Sequence, residues 1–274
     1  MKKVPGRAKL GFGIVLLMGA MGLLGPLVSP GDPYLPGEPF LPPHRDHLLG
    51  TNDVGQDIFS ELVYGARASL TVALSASAVA VGVGVLVGMV SGYYGGLVED
   101  FLMGLADVAL VVPGLPLLIV LAVYLGPSLW NIAVIIGLLW WGGVARVVRS
   151  RVLSIKSAGF VESSLVMGAS HRWVLVRHVA PNLVPILLAK LVLVAAGAMV
   201  AEAGLSFVGL GDPTAKSWGT MLHFAFSRGG LTNGLWWWYL PPGLCISLSV
   251  LGLSYISFFL EEESDRRLRR ALDR

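Results

Sequence analysis

Cysteine is almost absent from this 274-residue chain, with Cys245 its single example. An intrachain disulfide is therefore excluded, as is a metal cluster built on thiolates. Charge is scarce as well. Asp, Glu, Lys and Arg make up 14% of the residues, against roughly 25% in soluble domains. No Gly-x4-Gly-Lys-Ser/Thr run occurs, so the chain carries no P-loop for nucleotide phosphates. There is no His-Glu-x-x-His pair and no Gly-x-Ser-x-Gly nucleophile turn. The histidines (His44, His47, His171, His178 and His223) keep no metal-ligand spacing, and no metal site is expected. Nothing in this pattern points to an enzyme.

What is present is apolar sequence. Hydrophobic residues form 55% of the chain, and the mean hydropathy is +0.74. Apolar stretches near membrane-spanning length recur with almost no charge inside them; a bilayer core of about 30 Å needs about 20 helical residues. The expectation is an all-α integral membrane protein with six spans. They run over about Leu10–Val28, Ser69–Tyr93, Phe101–Leu125, Leu129–Ala145, Leu183–Ala203 and Trp238–Leu260. The division expected is 1–68 for the first helix and an outer segment, 69–260 for a five-helix core, and 261–274 for a charged cytoplasmic tail.

Basic residues test the topology. With the N-terminus inside, the inner segments hold Lys2, Lys3, Arg7, Lys9, Arg146, Arg149, Arg151, Lys156, Arg172, Arg177, Arg266, Arg267, Arg269, Arg270 and Arg274. The outer segments hold only Arg45, Arg67, Lys216 and Arg228. This bias places both termini in the cytoplasm. The formal net charge of +3 thus reads as membrane topology, not as a nucleic-acid surface. The basic N-terminus followed by an apolar run resembles a signal peptide. Gly25-Pro26-Leu27-Val28-Ser29-Pro30 offers no small-x-small cleavage site, so an uncleaved first span is expected.

Ala76, Ala80, Gly84, Gly88, Gly92 and Gly96 recur every four residues. Such a row winds along one helix face and lets another helix approach closely, in this chain or in another subunit. Pro113 and Pro116 interrupt the third span, which suits either a gated path or a fixed bend. Asp107 lies inside that span and should face protein or water. Lys190, in the fifth span, suits snorkelling to the inner interface, pairing with another subunit, or a substrate contact. Trp218 and Trp236–Trp238, in the second long outer segment, suit interface anchors or a substrate grip.

The longest inner segment, 146–182, contains a helical piece from Gly159 to Ser170. Glu162 sits in its first turn, where the helix dipole favours an anion. Gly168 suits a helix stop, and Pro181 suits the opening of the fifth span. A short helix-turn unit projecting from the membrane suits docking into a groove on a soluble partner.

At these residues the chain resembles a known family. Glu162-Ser163-Ser164, Gly168 and His178-Val179-Ala180-Pro181 resemble the EAA signature of permease subunits of binding-protein-dependent ABC importers. His47-Leu48-Leu49-Gly50-Thr51-Asn52-Asp53-Val54-Gly55-Gln56-Asp57 is similar to a segment of the dipeptide, oligopeptide and nickel permease group. So are Gly65-Ala66-Arg67-Ala68-Ser69-Leu70, Arg177-His178-Val179-Ala180-Pro181-Asn182 and Glu202-Ala203-Gly204-Leu205-Ser206-Phe207. Two departures stand out: Gly104 replaces an arginine that would pair near Asp107, and the tail lacks the group's ending.

The resemblance implies a type I ABC importer permease fold in the cytoplasmic membrane of a prokaryote. It implies a non-catalytic subunit, with ATP and Mg bound by partner ATPase subunits and no cofactor in this chain. The implied partners are a second homologous permease, two ATP-binding cassette subunits and an extracytoplasmic substrate-binding protein. Glu162, Ser163, Ser164, Gly168, Ala169, Arg172 and Pro181 would form the coupling helix region. Asp107, Pro113 and Glu202 are the candidates for a gate or path. Peptides are the first substrate class, with nickel or oligosaccharides as alternatives. An ion-coupled secondary transporter would want intramembrane acids and an inverted repeat; Asp107 is the one acid well inside an expected span.

Overall fold

A computed structural model of the chain describes residues 5–29 and 31–272. Lys2, Lys3, Pro30 and Arg274 lie outside the described residues, as do the side chains of Arg267, Arg269 and Arg270. Helices follow in the order α1 (Gly6–Val28), α2 (Ile58–Tyr94), α3 (Gly96–Val111), α4 (Gly114–Leu125), α5 (Leu129–Lys156), α6 (Gly159–Val166), α7 (His171–Val174), α8 (Ala180–Leu205), α9 (Trp218–Ser227) and α10 (Trp236–Leu272). Two π-helical turns, Leu175–Val179 and Ser206–Leu210, flank α8. Five helical rods are long and apolar enough to cross a membrane, and α3 with α4, counted as one broken span, makes six.

The second span starts well before the expected Ser69. Asp57 caps it, accepting from Ser60 N at 2.7 Å, and Glu61 occupies the first turn. Glu61 and Arg67 hide this opening from a hydropathy reading, because charge there looks like loop. The divisions expected after residues 68 and 260 consequently fall inside α2 and α10.

The third span is broken. Val112 is extended, as the residue before a proline tends to be, and Pro113 caps α4. Pro116 stands in the first turn of α4, where no N–H is missed. The two halves meet at 86°.

The small-residue row lies against α5 of the same chain. A Cβ on Gly84 would stand 2.6 Å from Val144 Cβ, and one on Gly88 would stand 2.5 Å from the Ala145 carbonyl oxygen. For Gly92 the nearest atom is the Arg149 carbonyl oxygen at 2.9 Å. The contact is reciprocal, since a Cβ on Gly137 of α5 would stand 2.6 Å from Val79 Cβ. Gly96 does not belong to the row. The chain leaves α2 at Gly95 and Gly96, with φ of +72° and +55°, and nothing stands within 4 Å of a Cβ on Gly96.

The first and last helices run side by side, with Phe12 and Phe259 ring centroids 6.4 Å apart. The start of α1 and the later part of α10 therefore share one end of the bundle, as an even number of crossings requires. At the other end the loops lock together. Leu129 N donates to Asp212 Oδ2 at 3.3 Å, and Arg228 Nη1 donates to Asp53 Oδ2 at 2.7 Å. Trp218 and Trp238 are fully buried. Trp218 Nε1 donates to the Leu62 carbonyl at 2.9 Å, so this tryptophan is a core pin and neither an interface anchor nor a substrate grip.

Candidate functional site

The segment between the fourth and fifth spans folds as α6, a tight turn, and α7. The turn follows from Gly168. Its N–H donates to the Leu165 carbonyl at 3.0 Å, and Ala169 N–H donates to the Ser164 carbonyl at 3.0 Å. That pair of bonds is the Schellman closure of a helix, which needs a left-handed residue at its centre. Gly168 supplies it with φ +89°. Ser170 then caps α7, accepting from Trp173 N at 3.3 Å.

The unit has two faces. Val161, Val174 and Val179 are fully buried and join Val148, Val152 and Ile155 of α5 in one apolar cluster. Each buried valine contributes about 1.5–3 kcal/mol to holding the unit in place. The opposite face is open and carries large apolar side chains among polar ones: Val166 is 88% exposed and Met167 80%, with Phe160, Trp173 and Val176 also exposed beside Glu162, Ser163 and Arg172. Such surface marks an interaction site when it is contiguous.

Polar contacts fix the unit to the bundle. Tyr93, at the end of α2, places its hydroxyl 2.9 Å from His171 Nδ1. Lys156, at the end of α5, donates from Nζ to the Tyr93 carbonyl at 2.7 Å. His178 meets Ser164 Oγ at 3.2 Å through Nε2 and stacks edgewise on Trp173. Of these residues, Tyr93, Lys156 and His171 carry no site role in the sequence reading. A signal existed for the histidines: His171 and His178 are seven apart, two turns on one helix face.

The expected site residues separate accordingly. Glu162, Ser163, Gly168 and Arg172 are exposed on the unit. Ser164 is buried, and its Oγ donates to the Phe160 carbonyl at 2.7 Å. Ala169 is half-buried in the turn. Pro181 lies further on, exposed at the start of α8 behind a π-turn. Its missing N–H breaks the regular ladder there, which a widened turn accommodates.

The gate and path candidates do not come together. Asp107 is paired with Arg146, Nη2 to Oδ1 at 2.6 Å, so the pairing expected to be lost with Gly104 is made by α5 instead. Pro113 marks the α3–α4 break. Glu202 is fully enclosed, with Oε1 accepting from Ser206 Oγ at 2.7 Å. Lys190 pairs with Glu261 of α10 at 3.1 Å. Arg149 pairs with Glu99, and Arg151 with Asp265, at the same end of the bundle. No cluster of three or more metal-ligating side chains occurs among the described residues.

Residues 84–270, which include the whole α6–α7 unit, match the family described as binding-protein-dependent transport system inner membrane component. The chain belongs to that family. Its relatives include a putative peptide permease protein of Brucella suis, 38% identical over 226 residues, covering 82% of this chain and 74% of the relative. The dipeptide transport system permease protein DppC of Bacillus subtilis is 34% identical over 266 residues, 96% of this chain and 82% of its own. The oligopeptide transport system permease protein OppC of the same organism is 32% identical over 266 residues, 96% of this chain and 86% of its own. The permease is therefore a multi-pass inner-membrane transport component, and the α6–α7 unit lies within the part the family shares.

Proposed function

We propose that this permease is one of two homologous membrane subunits of an ATP-driven importer of di- or oligopeptides. Its α6–α7 unit is the element that couples it to an ATPase subunit. The observation that carries the coupling role is the two-faced build of the unit. One face is locked into the core through Val161, Val174 and the Tyr93–His171 contact, while the other offers Val166 and Met167 unpartnered. Load applied to the open face has a rigid route to α2 and α5.

The peptide substrate rests on the names of the relatives from Brucella and Bacillus. ATP and Mg would be bound by the two cassette subunits, and an extracytoplasmic binding protein would deliver the peptide. The basic residues Arg149, Arg151, Lys156 and Arg172 lie at the end of the bundle that bears this unit, which supports a cytoplasmic placement of that end and of both termini.

The test is purification of the tagged permease in gentle detergent, followed by uptake in proteoliposomes. Co-purification of ATPase subunits and ATP-dependent peptide uptake are expected. Replacing Val166 and Met167 together by Asp should release the ATPase subunits while leaving the permease inserted. Retention of the ATPase by that double variant would remove the coupling role.

A further inference from the structure

At the far end of the bundle from α6 and α7, a cavity of about 210 Å³ opens between the outer parts of α2 and α5 and the loops that cap them. Tyr64 and Arg67 of α2, Trp130 of α5, and Tyr34 and Lys216 of the loops line it.

One wall is internally satisfied. Lys216 Nζ donates to Gln56 Oε1 at 2.7 Å and to Glu61 Oε1 at 2.5 Å. The Tyr34 ring lies over that ammonium, 5.4 Å to its centroid, and the Tyr34 hydroxyl donates to the Thr214 carbonyl at 3.1 Å. The other wall is not. The Arg67 guanidinium, the Tyr64 hydroxyl and the Trp130 indole N–H have no hydrogen-bond or ion-pair partner among the described residues. All three are donors. Glu61 pairs with Lys216, whereas Arg67 and Trp130 are exposed at the mouth of the cavity and Arg67 has no carboxylate partner among the described residues.

An unpaired guanidinium flanked by two further donors suits one anionic group. The guanidinium fork matches a carboxylate in shape as well as charge, and the aromatic faces take the apolar group beside it. The volume is below the roughly 300–1,000 Å³ of pockets that enclose a whole small molecule. It suits one end of a longer ligand. We propose that this cavity is a subsite for the C-terminal carboxylate of a peptide in transit, with Arg67 binding the anion and Tyr64 and Trp130 flanking it. The assignment rests on the peptide-importer reading above. A lipid phosphate offers similar charge; the loop residues Tyr34 and Lys216 in the wall favour a ligand that arrives from the aqueous side.

The complete transporter in proteoliposomes, supplied with its binding protein and radiolabelled trialanine, tests this. Arg67→Gln should lower uptake about tenfold at normal abundance, the order expected for one lost charged hydrogen bond. Arg67→Lys should restore part of the uptake. A photo-crosslinking residue at Trp130 should capture the peptide during turnover, and less of it in the Arg67→Gln background. Wild-type uptake by Arg67→Gln, or capture of phospholipid in place of peptide, overturns the subsite. If the wild-type transporter itself moves no peptide, the peptide-importer reading fails, and the subsite falls with it.

Discussion

Gly168 occupies a backbone position that resists any other L-residue. Its φ of +89° closes α6, yet a Cβ there would meet no atom within 4 Å. The penalty is therefore conformational, about 1–2 kcal/mol for a residue with a Cβ, and it is paid at an exposed turn instead of in the core. Gly168→Asp adds a charge beside exposed Val166 and Met167 and should abolish transport while the subunit inserts at normal abundance. Asn tolerates the left-handed region better than Ala, so uptake per inserted subunit should fall in the order Gly, Asn, Ala. Normal uptake by the Asp variant would remove Gly168 from the coupling role. Lys216 presents the opposite case, a buried partner. Its side chain is 13% exposed and that of Glu61 is 3%. Lys216→Met strands a carboxylate, and loss of one member of a buried pair costs about 3–5 kcal/mol. Thermal unfolding in detergent should show a large destabilisation, relieved in part by adding Glu61→Gln.

Among the elements, α2 and α5 carry the most constrained contact. Gly84, Gly88 and Gly92 let Val144, Val148 and Val152 sit directly on the α2 backbone. Between helices in lipid, close packing takes the place of hydrophobic drive. Gly88→Val inserts atoms where a Cβ already lies 2.5 Å from the Ala145 carbonyl oxygen. The expected cost is about 1–3 kcal/mol, read as a lower melting temperature and lower abundance. A control at Gly82, where a Cβ meets nothing within 4 Å, should change neither. Equal behaviour of the two variants would show that α2 and α5 do not pack this way in the membrane. The same α2 reaches from the Glu61–Lys216 pair at one end to the Tyr93–His171 contact at the other. One continuous helix thus connects the loops at one end of the bundle to the α6–α7 unit at the other.

For the whole molecule, the decisive question is which end of the bundle faces the cytoplasm. The lone cysteine makes this measurable. With Cys245→Ser as background, a cysteine at exposed Ser163 should resist an impermeant maleimide in intact cells and react after permeabilisation. A cysteine at exposed Arg45 should react in both conditions. The reverse pattern would invert the topology and remove α6–α7 from the ATPase side.

Several features were legible in residue order alone: helical spans, from apolar runs of bilayer length; the Gly168 stop, from a glycine after an apolar helix; and the glycine row, from its four-residue spacing. Each is a local or periodic signal, carried by neighbours in sequence. The Glu61–Lys216 pair, the Tyr93–His171 contact and the Asp107–Arg146 pair join residues 155, 78 and 39 positions apart. No periodicity links such residues, because their meeting depends on how whole helices pack. For the same reason Gly96 kept the spacing of the row yet fell outside it, and Trp218 resembled an interface residue yet became a core pin. Sequence determined which segments are helices and that they belong in a bilayer, since hydropathy and backbone preference act along the chain. Tertiary structure decided which charges find partners and which donors, such as Arg67, are left facing a cavity, since that is set by distance in space.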